Sequence, residues 1–113
     1  MKSKITVLGQ EYQLLLSDSA ENPKLEDSYG YIEPYSKQIV VDKTISINSD
    51  KHTIENIDAF VRKVYRHEIL HAFFEESGIN YKYSKDEEDF LVDWFAKQFP
   101  KIRKIFDELG VAE

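Results

Sequence analysis

The chain has no cysteine, three prolines and four glycines in 113 residues. Without thiols, neither disulfides nor thiolate metal sites can form, so any metal must sit on histidine, aspartate or glutamate. Absent disulfides fit a reducing compartment. No purely apolar run exceeds three residues, far short of the roughly 20 a membrane-spanning helix needs. The first ten residues carry positive charge but no apolar stretch that would serve as a secretory signal. A cytoplasmic protein with no membrane partner is the expectation. Basic residues are also in the minority, 15 against 21 acidic ones, for a net charge of −6. Binding to nucleic acid through bulk electrostatics is therefore not expected. Lys97, Lys101, Arg103 and Lys104 form a local exception, best read as the solvated face of a helix.

What the chain does have is apolar bulk. Hydrophobic residues make up 42% of it, including seven Phe, seven Tyr and one Trp, enough for one core. No linker or repeat divides residues 1–113, which read as a single domain. Residues 4–16 alternate loosely around Gly9 and suggest two short strands, or one strand bent there. Residues 17–28 are polar and read as a loop. Two β-rich runs, 29–33 and 38–42, flank Pro34-Tyr35-Ser36-Lys37 and predict a hairpin. Ile45 and Ile47 either extend the second of these strands or lead into a loop.

From about Ile54 to Ser77 the period becomes helical. Phe60, Val64, His67, Leu70, His71 and Phe74 share one face at about 100° per residue. Ile57, Val61, Tyr65, Ile69 and Ala72 cover much of the rest, so this helix is expected to be central. Gly78 is placed to cap it. Ser84 and Glu87 fit a capping box that opens a second helix. That helix is expected to stop near Phe99 at Pro100, with a third, short helix from Ile102 to Leu109. The fold class expected is α+β, an antiparallel β-hairpin or sheet packed on a central helix, with a second helix alongside.

The central helix contains His67-Glu68-Ile69-Leu70-His71. Histidines four apart on a helix lie about 40° apart around the axis and about 6 Å along it, so both imidazoles can reach one metal ion. Glu68 projects to the flank, where it can take a proton from a metal-bound water. This is the arrangement of zinc peptidases, with Zn2+ as the expected cofactor.

A catalytic zinc usually has three protein ligands. No histidine follows His71, which leaves His52 upstream or a downstream carboxylate. Measured from Glu88 at about 100° per residue, Leu91, Val92, Phe95 and Phe99 fall within about 60°. Glu88 thus points along the apolar face, and a carboxylate aimed at a core needs a compensating charge. Glu88 is the preferred third ligand. Asp89 is the next choice, with His52, Asp86 and Asp93 behind it.

Residues 29–42, 64–79 and 86–99, which include the motif, the preceding hairpin and the acid-bearing helix, carry a resemblance. They resemble the small His-Glu-x-x-His proteins of bacteria and phages, and are similar to the minimal zinc-peptidase domains of the ImmA/IrrE-like and SprT-like groups. The third histidine of the SprT-like pattern is missing here. The Glu-x-x-Asn-x-Phe-Ala pattern of the ImmA-like group is met only in part, by Val92-Asp93-Trp94-Phe95-Ala96. The resemblance implies a zincin-like fold and a gluzincin-like site. His67 and His71 would be zinc ligands, Glu68 the general base, and Glu88 the completing acid. It implies hydrolysis of peptide bonds in an intracellular protein or peptide substrate. The alternative is a zinc-binding interaction domain without catalysis. Tyr81, Tyr83, Tyr29, Tyr31 and Tyr35 are each available as a phenol donor to a tetrahedral oxyanion. The strand 38–42 is expected at a sheet edge, where a substrate strand could be added.

Overall fold

The computed structural model describes residues 2–46 and 56–113. Two strands open the chain, β1 (Lys2–Val7) and β2 (Gln10–Ser17), paired antiparallel with Val7 opposite Gln10. The intervening Leu8 and Gly9 have φ of 50° and 85°. A two-residue hairpin turn of this twist demands positive φ at both positions, which glycine adopts at no steric cost. Next come β3 (Gly30–Glu33) and β4 (Gln38–Asp42), joined through Pro34–Lys37 as expected.

The sheet order is β1-β2-β4-β3, and β2 runs parallel to β4. The sheet is therefore mixed rather than purely antiparallel. Residues 18–29 carry the chain past the position of β4 to the outer edge, so β3 is laid down outside and β4 returns between it and β2. The expectation that 38–42 forms an edge strand is corrected by this topology. Its residues Ile39, Val40, Val41 and Asp42 are all buried, as a central strand requires. The edge strand of that half is β3. Strand β4 ends where the Asp42 carboxylate accepts from both the backbone N–H and the hydroxyl of Thr44, at 2.8 and 2.6 Å. Such a local turn competes with the ladder. Ile45 follows it into the core, at 1% exposure. Ile47, Ile54 and His52 lie outside the described residues.

Helix α1 (Ile57–Ser77) begins where the Asn56 side chain accepts from Ala59 N–H, and ends at Gly78 with φ of 80°. Its line Val64, Glu68 and Ala72 is buried. Val64 and Ala72 join Val7, Tyr12, Leu14, Ile39, Val41 and Ile45 in one core cluster. The sheet is thus covered on one face by the motif helix. At the far end of α1, Glu76 Oε2 accepts from the Tyr12 hydroxyl at 2.5 Å and from Lys37 Nζ at 2.7 Å, tying helix to sheet.

Helix α2 (Lys85–Leu109) opens with the expected capping box of Ser84 and Glu87. It does not stop at Pro100. One helix of 25 residues runs through the proline to Gly110, so the separate third helix is not found. Pro100 lacks the N–H that would bond the carbonyl of Ala96, four residues earlier. Arg66 of α1 fills the gap, its Nε–H donating to Ala96 O at 2.8 Å. The acceptor orphaned by proline is satisfied from the neighbouring helix, and α2 continues.

Candidate metal centre

Residue numbers that rise along α1 meet numbers that fall along α2, so the two helices pack antiparallel. His67 Nδ1 lies 3.2 Å from Asp93 Oδ1, His71 Nδ1 lies 2.5 Å from Glu88 Oε2, and Arg66 reaches Ala96. The two histidines, one turn apart on α1, face Asp89 and Asp93, one turn apart on α2. A carboxylate against Nδ1 fixes that nitrogen as the N–H donor and leaves Nε2 as a lone-pair acceptor.

Both Nε2 atoms turn inward. They lie 3.2 Å apart, with Asp89 Oδ1 at 2.9 Å from His71 Nε2 and 3.8 Å from His67 Nε2. Three electron-rich atoms therefore converge, an arrangement that a cation among them would stabilise. Two nitrogens held tetrahedrally at about 2.05 Å from zinc would stand about 3.3 Å apart, so the observed spacing fits such an ion. His67, His71 and Asp89 are the group that can hold a metal among the described residues.

Glu88, the preferred third ligand from sequence, is placed differently. It lies on the opposite nitrogen of His71 and outside the converging group, while Asp89, the second choice, supplies the oxygen. Leu91, Val92, Phe95 and Phe99 suggested that Glu88 lines the core face. Glu88 does precede the buried Val92 and Ala96 by one and two turns, and its side chain is 18% exposed against 51% for Asp89. What differs is the nitrogen each acid meets: Glu88 reaches Nδ1 of His71, and Asp89 reaches Nε2. Glu88 and Asp93 instead hold the imidazoles, the part that outer carboxylates play at histidine-ligated metals. The one-turn spacing of Asp89 and Asp93 matches that of the histidines, a signal in the sequence that the choice of Glu88 passed over.

The charges around the site follow from the same contacts. Burial lowers the pKa of His67, with His71 acting in the same sense and Asp93 opposing. For Asp93, burial acts upward, but Lys63, 2.5 Å away, and then His67 outweigh it and hold the carboxyl below its usual range. Lys63 was not foreseen as part of the site. Glu68 is 6% exposed, and burial pushes its pKa up to about 7, with His71 opposing and Asp89 reinforcing.

These groups line a cleft of about 790 Å³, walled by α1, the start of α2 and the outer strand β3. Tyr29, Tyr31 and Tyr83 line it, whereas Tyr35 and Tyr81 are 95% and 85% exposed and lie elsewhere. Gly30 was also missed from sequence. A Cβ there would stand 2.7 Å from Val40 O and 3.0 Å from Glu68 Cγ. Only a residue without a side chain lets β3 pass this close to Glu68. Neither the family models, nor the curated proteins, nor the solved structures compared with this chain give a match.

Proposed function

We propose that the chain is a zinc-dependent metallopeptidase with a zincin-like fold, cleaving peptide bonds of a protein substrate. The observation that carries this reading is the convergence of His67 Nε2, His71 Nε2 and Asp89 Oδ1 in a cleft that also holds the buried Glu68. His67, His71 and Asp89 would hold the ion, with Glu88 and Asp93 orienting the two imidazoles. A bound zinc supplies a Lewis acid for the scissile carbonyl and a water made acidic enough to attack near neutral pH.

The remaining work falls to the chain's own groups. Glu68, with a pKa near 7, is matched to taking a proton from the attacking water and returning it to the leaving amine. Tyr29, Tyr31 and Tyr83 line the cleft; the Tyr31 hydroxyl is held by Asn22 and the Tyr29 ring packs on Phe60, which leaves Tyr83 as the phenol we assign to an oxyanion. Strand β3 presents the sheet edge beside the cleft. Asp42 N donates to Tyr29 O, and antiparallel alternation then turns the N–H and C=O of Gly30 and Ile32 outward. An extended substrate would add to that edge, in place of the strand expected from sequence.

Glu68→Gln tests the assignment against a non-catalytic zinc-binding domain. The variant should retain zinc while losing cleavage of a fluorescent casein or a peptide library. Equal cleavage by wild type and variant would remove Glu68 from the chemistry. Absence of cleavage by either, with zinc bound, would favour the interaction domain. Among the described residues no helix is long and apolar enough to cross a membrane.

A further inference from the structure

Helix α2 carries a second apolar face that neither the core nor the cleft uses. Leu91, Phe95, Gln98, Ile102, Ile105 and Leu109 recur at alternating spacings of four and three. At about 100° per residue they stay within about 80° of arc, and the buried Val92 and Ala96 lie about 120° away from its centre. Trp94 and Phe106 flank the stripe. Leu91, Gln98 and Ile102 are half-buried, but the rest of the stripe and its flanks lie open: Trp94 is 51% exposed, Phe95 38%, Ile105 54%, Phe106 47% and Leu109 71%.

We infer that this face is the seam of a homodimer, in which α2 pairs antiparallel with α2 of a second copy. Alternating four-three spacing is the pattern of helix-to-helix seams, in which apolar side chains repeat every 3.5 residues. A two-fold interface must also be self-complementary, and this stripe reads the same in both directions about Pro100. Leu91 falls opposite Leu109 of the second copy, Phe95 opposite Ile105, and Gln98 opposite Ile102. Gln98 near the centre is a polar seam residue of the kind that fixes register.

The area is of the right order. At about 200 Å² for a large side chain, the five exposed residues leave about 500 Å² uncovered per copy. The partly exposed Leu91, Gln98 and Ile102 add to this, against about 800 Å² per partner in a standard complex. The cleft stays free, because Asp89 and Asp93 project from the opposite side of α2. The seam does not depend on the metal or on catalysis.

Sedimentation velocity of the full chain across the micromolar range tests the seam. Wild type should sediment as a dimer. Phe95→Glu and Ile105→Glu, at positions exposed in the single copy, should keep their helical circular dichroism but weaken association by at least about 100-fold. Because the chain has no cysteine, direction can be read by oxidation. Leu91→Cys mixed with Leu109→Cys should cross-link between the two variants, and Leu91→Cys alone should not. A wild type that stays monomeric, or a dimer that survives both glutamates, would overturn the proposal. So would cross-linking of Leu91→Cys to itself. A monomer that floats with phosphatidylcholine–phosphatidylglycerol vesicles would assign the face to a membrane surface instead.

Discussion

Arg66 Nε donates to the carbonyl of Ala96, the one acceptor in α2 that Pro100 leaves without its helical partner. The contact joins the motif helix to the acid-bearing helix three residues from Asp93. Replacing Arg66 with Met leaves that carbonyl unsatisfied and should destabilise the fold by about 1–3 kcal/mol. In a Pro100→Ala background the backbone N–H returns, and the cost of losing Arg66 should shrink. Urea unfolding of the four chains measures the coupling. Equal costs in both backgrounds would mean that Arg66 does not stand in for the missing bond.

Gly30 separates β3 from Glu68 by less than a methyl group needs. Gly30→Ala should cost about 1–3 kcal/mol through overpacking against Val40 O and the Glu68 side chain. If Glu68 is the proposed general base, it should also reduce hydrolysis while leaving the zinc content unchanged, since Gly30 touches Glu68 rather than His67, His71 or Asp89. Chemical unfolding and metal analysis of one preparation check both. An alanine variant as stable and as active as wild type would show that the strand can move aside freely.

Glu76 supplies the acid limb of the stability profile. Its hydrogen bond from Lys37, followed by that from Tyr12, lowers its pKa in the folded chain. A carboxyl depressed on folding contributes stability above its unfolded value, about 4.3, and loses it as pH falls through the folded value. Calorimetric Tm should therefore fall less steeply between neutral and acid pH in Glu76→Gln than in wild type. The variant should also start lower at neutral pH. Parallel profiles for the two chains would refute this role for Glu76.

Much of this architecture is written in local chemistry. Ser84 and Glu87 announce the start of α2, Gly78 the end of α1, and Pro34–Lys37 the hairpin, because caps and turns depend on residues a few positions apart. His67, Glu68 and His71 are recognisable for the same reason, since one helical turn fixes their spacing. What escaped is long-range. The order of β3 and β4 depends on where a twelve-residue loop sends the chain. The persistence of α2 past Pro100 depends on an arginine 34 residues earlier. Glu88 does lie in line with the buried Val92 and Ala96, as its spacing suggests, but which nitrogen of His71 each acid meets depends on how α2 is set against α1. The apolar stripe of α2 that includes Phe95 and Ile105 is left largely exposed. An amphipathic pattern reports that a face is to be covered, and not by what.

The two imidazoles make their own prediction about the outer acids. Glu88→Gln and Asp93→Asn each loosen one histidine without removing an ion-facing atom, and each should weaken zinc binding about 10- to 100-fold. Competition titration with a chromogenic chelator reads this directly. If either variant abolished binding altogether, that acid would belong among the ligands.

The central claim is tested most directly by the zinc content of chains purified without chelator, comparing wild type with His71→Ala, Asp89→Ala and Glu88→Ala by elemental mass spectrometry. A site of His67, His71 and Asp89 predicts about one zinc per chain in wild type. Zinc should be lost in His71→Ala and Asp89→Ala, and retained at reduced affinity in Glu88→Ala. Zinc kept by Asp89→Ala and lost from Glu88→Ala would exchange the parts of the two acids. No zinc in wild type, even after reconstitution, would contradict the metal centre.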